Sequence, residues 1–305
     1  MPRIPSRATT LLLLTPATVA LAGAAANGDI FQWMNDPTTY GHLCQYSIPN
    51  ELAEESCAPT SATNVLVHLQ NTHAASLGGI QLVGEGYDGW ISTAETLQGN
   101  FGTTNEEGSS GPGQTAGLED YITSIGAANR FSFEAMSFET EGDYPSWTRT
   151  GVKPAFGDFY DWMSSGAGVY VDVIYEGTGP GGVQGHVVAL VGLDWNDANG
   201  DGVVDYSEGA TFSVIDPLDP SQNYDGSDVL GPPKLTSISV WQDEVDGFLN
   251  FSYTQYLGNL PFDELDYGTA VGIIGGGVAM SVVVPGPFAG AIVAAVGLCR
   301  RRRRR

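Results

Sequence analysis

The stretch His186-Val-Val-Ala-Leu-Val-Gly-Leu193 is almost continuously apolar, the pattern of a strand buried on both faces. Upstream, Gly168-Val-Tyr-Val-Asp-Val-Ile-Tyr175 alternates with period two, as a strand does. Downstream, Thr211-Phe-Ser-Val-Ile-Asp216 reads as a third strand, stopped by Pro217. Residues 240–256 and 269–284 have the composition to add strands. The first half of the chain differs in texture. Ala62, Val65, Leu66 and Leu69 recur at i, i+3, i+4 and i+7, one buried face of a helix that opens at Cys57. Pro59 falls in its first turn, where a missing N–H costs nothing. Residues 115–125 and 156–165 read as shorter helices, residues 27–56 as irregular, and the Gly/Ser/Thr-rich residues 100–115 as an exposed loop. No internal repeat is visible. Helices first and strands second is an α+β order.

The chain has 305 residues, room for one large domain or two small ones, and 42% hydrophobic residues suffice for a sizeable core. Its charge is distributed unevenly. Of the 12 basic residues, Arg3 and Arg7 lie at the start and six arginines occupy residues 300–305. Arg130, Arg149, Lys153 and Lys234 remain in the body, against all 35 acids. Such a body repels phosphate backbones and anionic lipid, which excludes nucleic acid as a partner. Its carboxylates suit divalent cations.

Both ends read as addresses. Residues 1–26 have a basic start, a short apolar run through Leu21 and small residues Ala24-Ala25-Ala26, the pattern of a signal peptide cleaved before Asn27. An uncleaved anchor is the alternative. At the other end, Val284-Pro285-Gly286-Pro287 precedes a short apolar run, 288–299, and the arginine tail. Residues 282–305 resemble the PEP-CTERM sorting signals of exosortase systems. That resemblance implies export, tethering in the membrane through the C-terminal helix, handling by exosortase-type sorting machinery, and release or attachment at the cell surface. A plain C-terminal tail anchor is the alternative. The working body, residues 27–281, then lies outside the cytoplasm, where disulfides are permitted. It holds two cysteines, Cys44 and Cys57.

A nucleophilic cysteine needs a helix N-terminus or a cation to favour its thiolate, and a histidine held by a third group. Cys57 stands at a helix start. His186 begins one strand and Asp216 ends the next, so pairing of those strands as a hairpin puts both at one end.

The order of these residues resembles the papain-superfamily cysteine peptidases, and most nearly family 39, the bacteriocin-leader peptidases and their secreted relatives. The matching segments are Cys57-Ala-Pro-Thr-Ser61, Leu118-Glu-Asp-Tyr121, Gly185-His186-Val-Val-Ala-Leu-Val-Gly192 and Val214-Ile-Asp216-Pro217. The resemblance spans about residues 45–220. It implies a papain-like α+β fold with N-terminal helices packed on an antiparallel sheet. It also implies a Cys57–His186–Asp216 triad acting on a peptide or protein substrate, with Gln45 helping to hold the oxyanion. Gln45 lies twelve residues before Cys57; six before it stands Glu51. Cys-Ala-Pro replaces the family's usual Cys-Gly-Pro.

Asp197-Ala-Asn199-Gly-Asp201-Gly202-Val203-Val-Asp205-Tyr-Ser-Glu208 fits the twelve-residue EF-hand calcium loop. Asp197, Asn199, Asp201, Asp205 and Glu208 supply side-chain oxygens and Val203 its carbonyl, with Gly202 at the sharp turn. No entering helix precedes it, so it reads as a structural calcium site between two strands. Calcium there is expected to stiffen the hairpin that carries His186 and Asp216.

These features together read as an exported, calcium-stabilised thiol hydrolase. The alternative is a non-catalytic calcium-binding surface or matrix protein in which Cys44 and Cys57 pair. A third reading, acyl transfer of the crosslinking kind, uses the same triad. The redox state of Cys57 separates the first two.

Overall fold

In a computed structural model of the chain, the structure describes residues 29–176, 183–219, 222, 232–256 and 267–283. The signal peptide, the arginine tail and most of the sorting signal lie outside the described residues, as do residues 177–182 before His186.

Among the described residues, nine strands and four α-helices follow one another. Strand β1 (Ile30–Met34) comes first, then α1 (Cys57–Leu77), α2 (Gly86–Phe101) and α3 (Gly111–Ser124). Next are β2 (Phe131–Ser137), β3 (Thr148–Thr150) and α4 (Phe156–Ser164). The second half supplies six more strands: β4 (Gly168–Glu176), β5 (Val183–Asn196), β6 (Thr211–Ile215), β7 (Thr236–Gln242), β8 (Leu249–Tyr256) and β9 (Tyr267–Val282).

Those last six strands close on themselves. Each pairs antiparallel with the next from β4 to β9, and β9 returns to β4, from Gly168 opposite Met280 to Tyr175 opposite Gly272. The result is a six-stranded antiparallel barrel. Strand β1 extends it beside β5, and β2 and β3 extend it beside β9. The α+β papain-like fold expected from the sequence, helices on an antiparallel sheet, is therefore corrected. Closure is the physical reason: one strand, β9, is long enough to pair with β8, β4 and β2, so the barrel strands have no free edge.

Alternation along the strands divides the core in two. Val171 and Val173 of β4, Val188 of β5, Phe212 and Val214 of β6, Ile238 of β7, Phe251 of β8 and Ile274 of β9 form one buried cluster that fills the barrel. Phe156, Phe159, Trp162 and Met163 of α4 join it. The opposite face of β4, β5 and β9, through Tyr170, Val187, Ala189, Val191 and Met280, packs against α1 to α3.

Helix α1 is almost wholly buried through its first three turns, which explains why its apolar stripe continues into Thr60, Ser61, Thr63 and Asn64. Two of its buried hydroxyls are satisfied by carbonyls, Thr63 donating to Pro59 at 2.8 Å and Ser61 to Val187 at 2.8 Å, while the Thr60 hydroxyl finds no partner. The helix stops at Gly78, whose φ of 64° suits glycine. Where residues 100–115 read as a loop, the chain forms the end of α2 and the start of α3, the latter capped by Ser110 accepting the Gly113 N–H at 3.2 Å. Among the described residues, no helix is long and apolar enough to cross a membrane.

Candidate active site

Cys57 is the first residue of α1, so its N–H and that of Ala58 have no partner inside the helix; Pro59 has no N–H, and the Thr60 N–H binds the Ser56 carbonyl at 3.0 Å. Three contacts fix this helix end. Ser61 binds the β5 carbonyl next to His186, at Val187. The Asn64 side chain clasps Leu43 on both sides, accepting its N–H at 2.8 Å and donating to its carbonyl at 3.2 Å. Gln98 of α2 donates to Ser56, the residue before Cys57.

His186 and Asp216 meet as the hairpin reading requires. β5 and β6 pair antiparallel, and His186 Nε2 lies 2.8 Å from Asp216 Oδ1, both side chains 2% exposed. Asp216 Oδ1 also accepts the Leu218 N–H at 2.9 Å. Nε2 is taken by Asp216, and Cys57 lies near enough to the imidazole to favour its charged form. Burial alone presses His186 toward its neutral form, but the Asp216 carboxylate and Cys57 outweigh it and hold the pKa well above the ordinary value. The charged form is the one that supports a thiolate beside it.

Both cysteines are free thiols. They differ in setting: Cys57 is partly exposed, whereas Cys44 is fully buried and burial pushes its thiol up to about 12. A disulfide between them is not formed.

Gln45 is fully buried and reaches the same place. Its backbone N–H binds the Pro217 carbonyl at 2.9 Å, tying its loop to the Asp216 turn. Its side-chain nitrogen donates one hydrogen to the Glu54 carbonyl at 2.7 Å, which leaves the second N–H of the amide. Glu51, six residues before Cys57, is exposed.

Gln45, Cys57 and His186 line one cleft of about 900 Å³. Its floor includes a residue that the sequence reading passed over, Asp172 in the middle of β4. An acid within an otherwise apolar alternating strand was the available signal. Burial, then the Glu139 carboxylate, pushes Asp172 up to about 7 from 3.8. Tyr170 and Tyr144 also feel its charge. An acid whose folded pKa is raised destabilises the fold as it ionises. Stability from this group therefore falls as pH rises from about 4 to about 7 and is lowest above that. We expect Asp172→Asn to raise the melting temperature by several degrees at pH 8 and to leave it nearly unchanged at pH 4, read by calorimetry at both.

The calcium-type loop, residues 197–208, closes the β5–β6 hairpin at the end away from His186, roughly 30 Å along the strand. The loop winds around Asp197, which is 3% exposed and accepts N–H groups from Gly200, Asp201 and Gly202. Asn199 donates to Asp201 and Asp205 at 3.1 Å each. Glu208 folds back onto the Ala198 N–H at 3.0 Å and the Trp195 indole at 2.7 Å. The donor set is all oxygen and suits calcium. Among the described residues, however, no three acidic, His or Cys side chains are gathered in metal-holding positions. The Val203 carbonyl belongs to the same turn; its N–H binds Asp201 at 2.8 Å.

The other histidines lie apart from this chemistry. His68 on α1 is buried, stacked on Tyr40 at 4.1 Å and bonded to Thr39 at 2.6 Å, a packing residue. His42 sits edge-on to Trp90. Neither a scan against protein-family models nor a search of the curated proteins finds a match for the chain.

Proposed function

We propose that the protein is an exported thiol hydrolase that cleaves peptide bonds through Cys57, His186 and Asp216. The observation that carries this reading is the buried His186, 2.8 Å from Asp216 and sharing the lining of one cleft with Cys57. Three residues from separate elements converge there, with the nucleophile at a helix N-terminus and its base fixed by a carboxylate. The reading rests on this chemistry and not on a papain-like fold.

In the proposed reaction the Cys57 thiolate attacks the substrate carbonyl carbon. The oxyanion that forms takes hydrogen bonds from the Cys57 backbone N–H and the second N–H of Gln45. His186 protonates the leaving amine as the C–N bond breaks. It then accepts a proton from water, which hydrolyses the thioester and restores the thiol. Asp216 keeps the ring oriented and its charge balanced throughout. The test is hydrolysis of an unfolded protein by the full chain in reducing buffer. Activity lost in step with one alkylation at Cys57 supports the reading; activity that survives complete alkylation there overturns it.

Calcium belongs to the same proposal. Asp197, Asn199, Asp201, Asp205 and Glu208, with the Val203 carbonyl, would hold it, and its role would be to brace the far end of the hairpin. Saturating calcium to about 100 times its Kd stabilises by about 2.7 kcal/mol. Chelation is therefore expected to lower the melting temperature by roughly 5–10 °C. An unchanged melting temperature with and without chelator would remove calcium from the account. The signal peptide, the sorting signal and the exosortase-type machinery remain the proposed route of export.

A further inference from the structure

Among the described residues, the cleft beside Cys57 carries six carboxylates, Glu54, Glu55, Glu106, Glu107, Glu139 and Asp172, and no Lys or Arg lines it. Acids in a solvated rim attract cations only diffusely. Asp172 is different. Its Oδ1 is fully buried without a hydrogen-bond partner. Tyr170, fully buried two residues earlier on the same face of β4, leaves its own hydroxyl unpartnered too, so the wall does not neutralise the acid. A carboxylate with one oxygen buried unpaired, in a residue only partly exposed to the cleft, is costly unless something pairs with it.

The backbone around it is arranged to leave room. The β4–β9 pairing shifts register between Asp172 and Val173, a bulge that re-aims the side chain. Across from it is Gly276. A Cβ there would lie 3.2 Å from Asp172 Oδ2 and 2.5 Å from the Met136 carbonyl. Glu139 stands at the rim, oriented by the Tyr144 hydroxyl at 3.2 Å. Phe138 and Ile174 supply apolar wall between them, a surface for an aliphatic stem.

We propose that Asp172, with Glu139 beside it, is the seat of a cationic side chain of the substrate, so that the protein acts on chains with a Lys or Arg close to the scissile bond. The inference rests on the hydrolase reading for the words scissile bond; the cation site itself does not. A guanidinium offers paired N–H donors that match the two carboxylates, and an ammonium offers a point charge. The raised pKa of Asp172, caused by burial and by Glu139, is what such a site shows before a cation arrives.

The test uses two fluorescent peptides that differ only in Arg against citrulline, its neutral analogue of equal shape. Binding to the full chain carrying Cys57→Ala is read by anisotropy at physiological salt. The Arg peptide is expected to bind at least about 30-fold more tightly. Adding Asp172→Asn should remove most of that ratio, and Glu106→Gln, at the rim, should change it far less. A ratio within about 3-fold, or one that Glu106→Gln lowers as much as Asp172→Asn does, would overturn the proposal. The Asp172→Asn protein must melt cooperatively for the comparison to count; if it does not, Asp172→Glu takes its place, with the ratio expected to fall as the carboxylate is displaced. Hydrolysis of either peptide by the unaltered chain is scored separately. Cleavage of neither, with the binding ratio intact, sinks the hydrolase reading and leaves the cation site standing.

Discussion

Cys57→Ala is expected to lower kcat on peptide substrates by at least about 10⁴-fold, and His186→Ala to do nearly as much. The two changes should not add. A thiolate without its imidazolium and an imidazole without a thiol fail at the same step, so the double variant should be about as slow as either single one. Asp216→Asn should cost less in kcat than either, because it keeps a hydrogen bond to His186 Nε2 while removing the charge that raises the ring's pKa. It should also move the alkaline limb of the pH–rate profile to lower pH, since the imidazolium is then less favoured and is lost sooner as pH rises. Cys44→Ser provides the contrast. Cys44 is fully buried away from the cleft lining, and its loss should leave kcat within about 2-fold while costing some stability. Steady-state kinetics on the four single variants and the double one checks this. Comparable losses from Cys44→Ser and Cys57→Ala would contradict the assignment.

Gly272→Val is expected to destroy the barrel. A Cβ at Gly272 would lie 2.0 Å from the Ile174 carbonyl oxygen and 2.7 Å from the Tyr175 Cα, and neither is a side chain that can swing aside. The clash falls on the β4–β9 seam, the pairing that closes the six strands. Loss of that pairing opens the barrel interior, where Val173, Phe251 and Ile274 are fully buried. A cost above about 4 kcal/mol follows, enough to exhaust much of a typical domain's stability. Gly272→Ala should be milder, and Gly157→Ala on the surface of α4, where a Cβ meets nothing within 4 Å, should be neutral or stabilising. Thermal melts of the three variants decide it. A Gly272→Val protein that melts like the unaltered chain would contradict the barrel seam.

The same seam shows why the sequence was legible in parts. The His186 and Asp216 strands are local neighbours, one a near-continuous apolar run and the other stopped by Pro217, and a hairpin between them brings the pair together, as observed. The α1 stripe from Ala62 to Leu69 was readable for the same reason, since a helix is decided by its own residues. Closure was not readable. It depends on β9, whose Gly-Ile-Ile-Gly-Gly-Gly centre lacks strong strand propensity, and on its pairing with β4, about a hundred residues away. Alternation tells which face is buried; it does not tell which strand lies alongside. Strand β1 was lost among polar residues because it is a short edge with an exposed Ile30 and Met34. Helix α2, with Trp90, Ala94, Leu97 and Phe101 on its packed side, went unread between two glycine-rich segments. In the site, Cys57, His186, Asp216 and Gln45 were found by type and order. Asp172 was not, because its meaning comes from burial and from Glu139, which only the fold supplies.

The most direct test of the central claim is the alkylation of the native full chain by iodoacetamide at neutral pH, followed by intact mass and peptide mapping. The account predicts rapid modification at Cys57, slow modification of the buried Cys44, and a marked slowing at Cys57 when His186 is replaced by Ala, with the third cysteine, Cys299, scored apart in the peptide map. A chain two hydrogens lighter that takes up no reagent before reduction would mean paired cysteines, and a Cys57 no faster than Cys44 would mean no activated nucleophile. Either result contradicts the account.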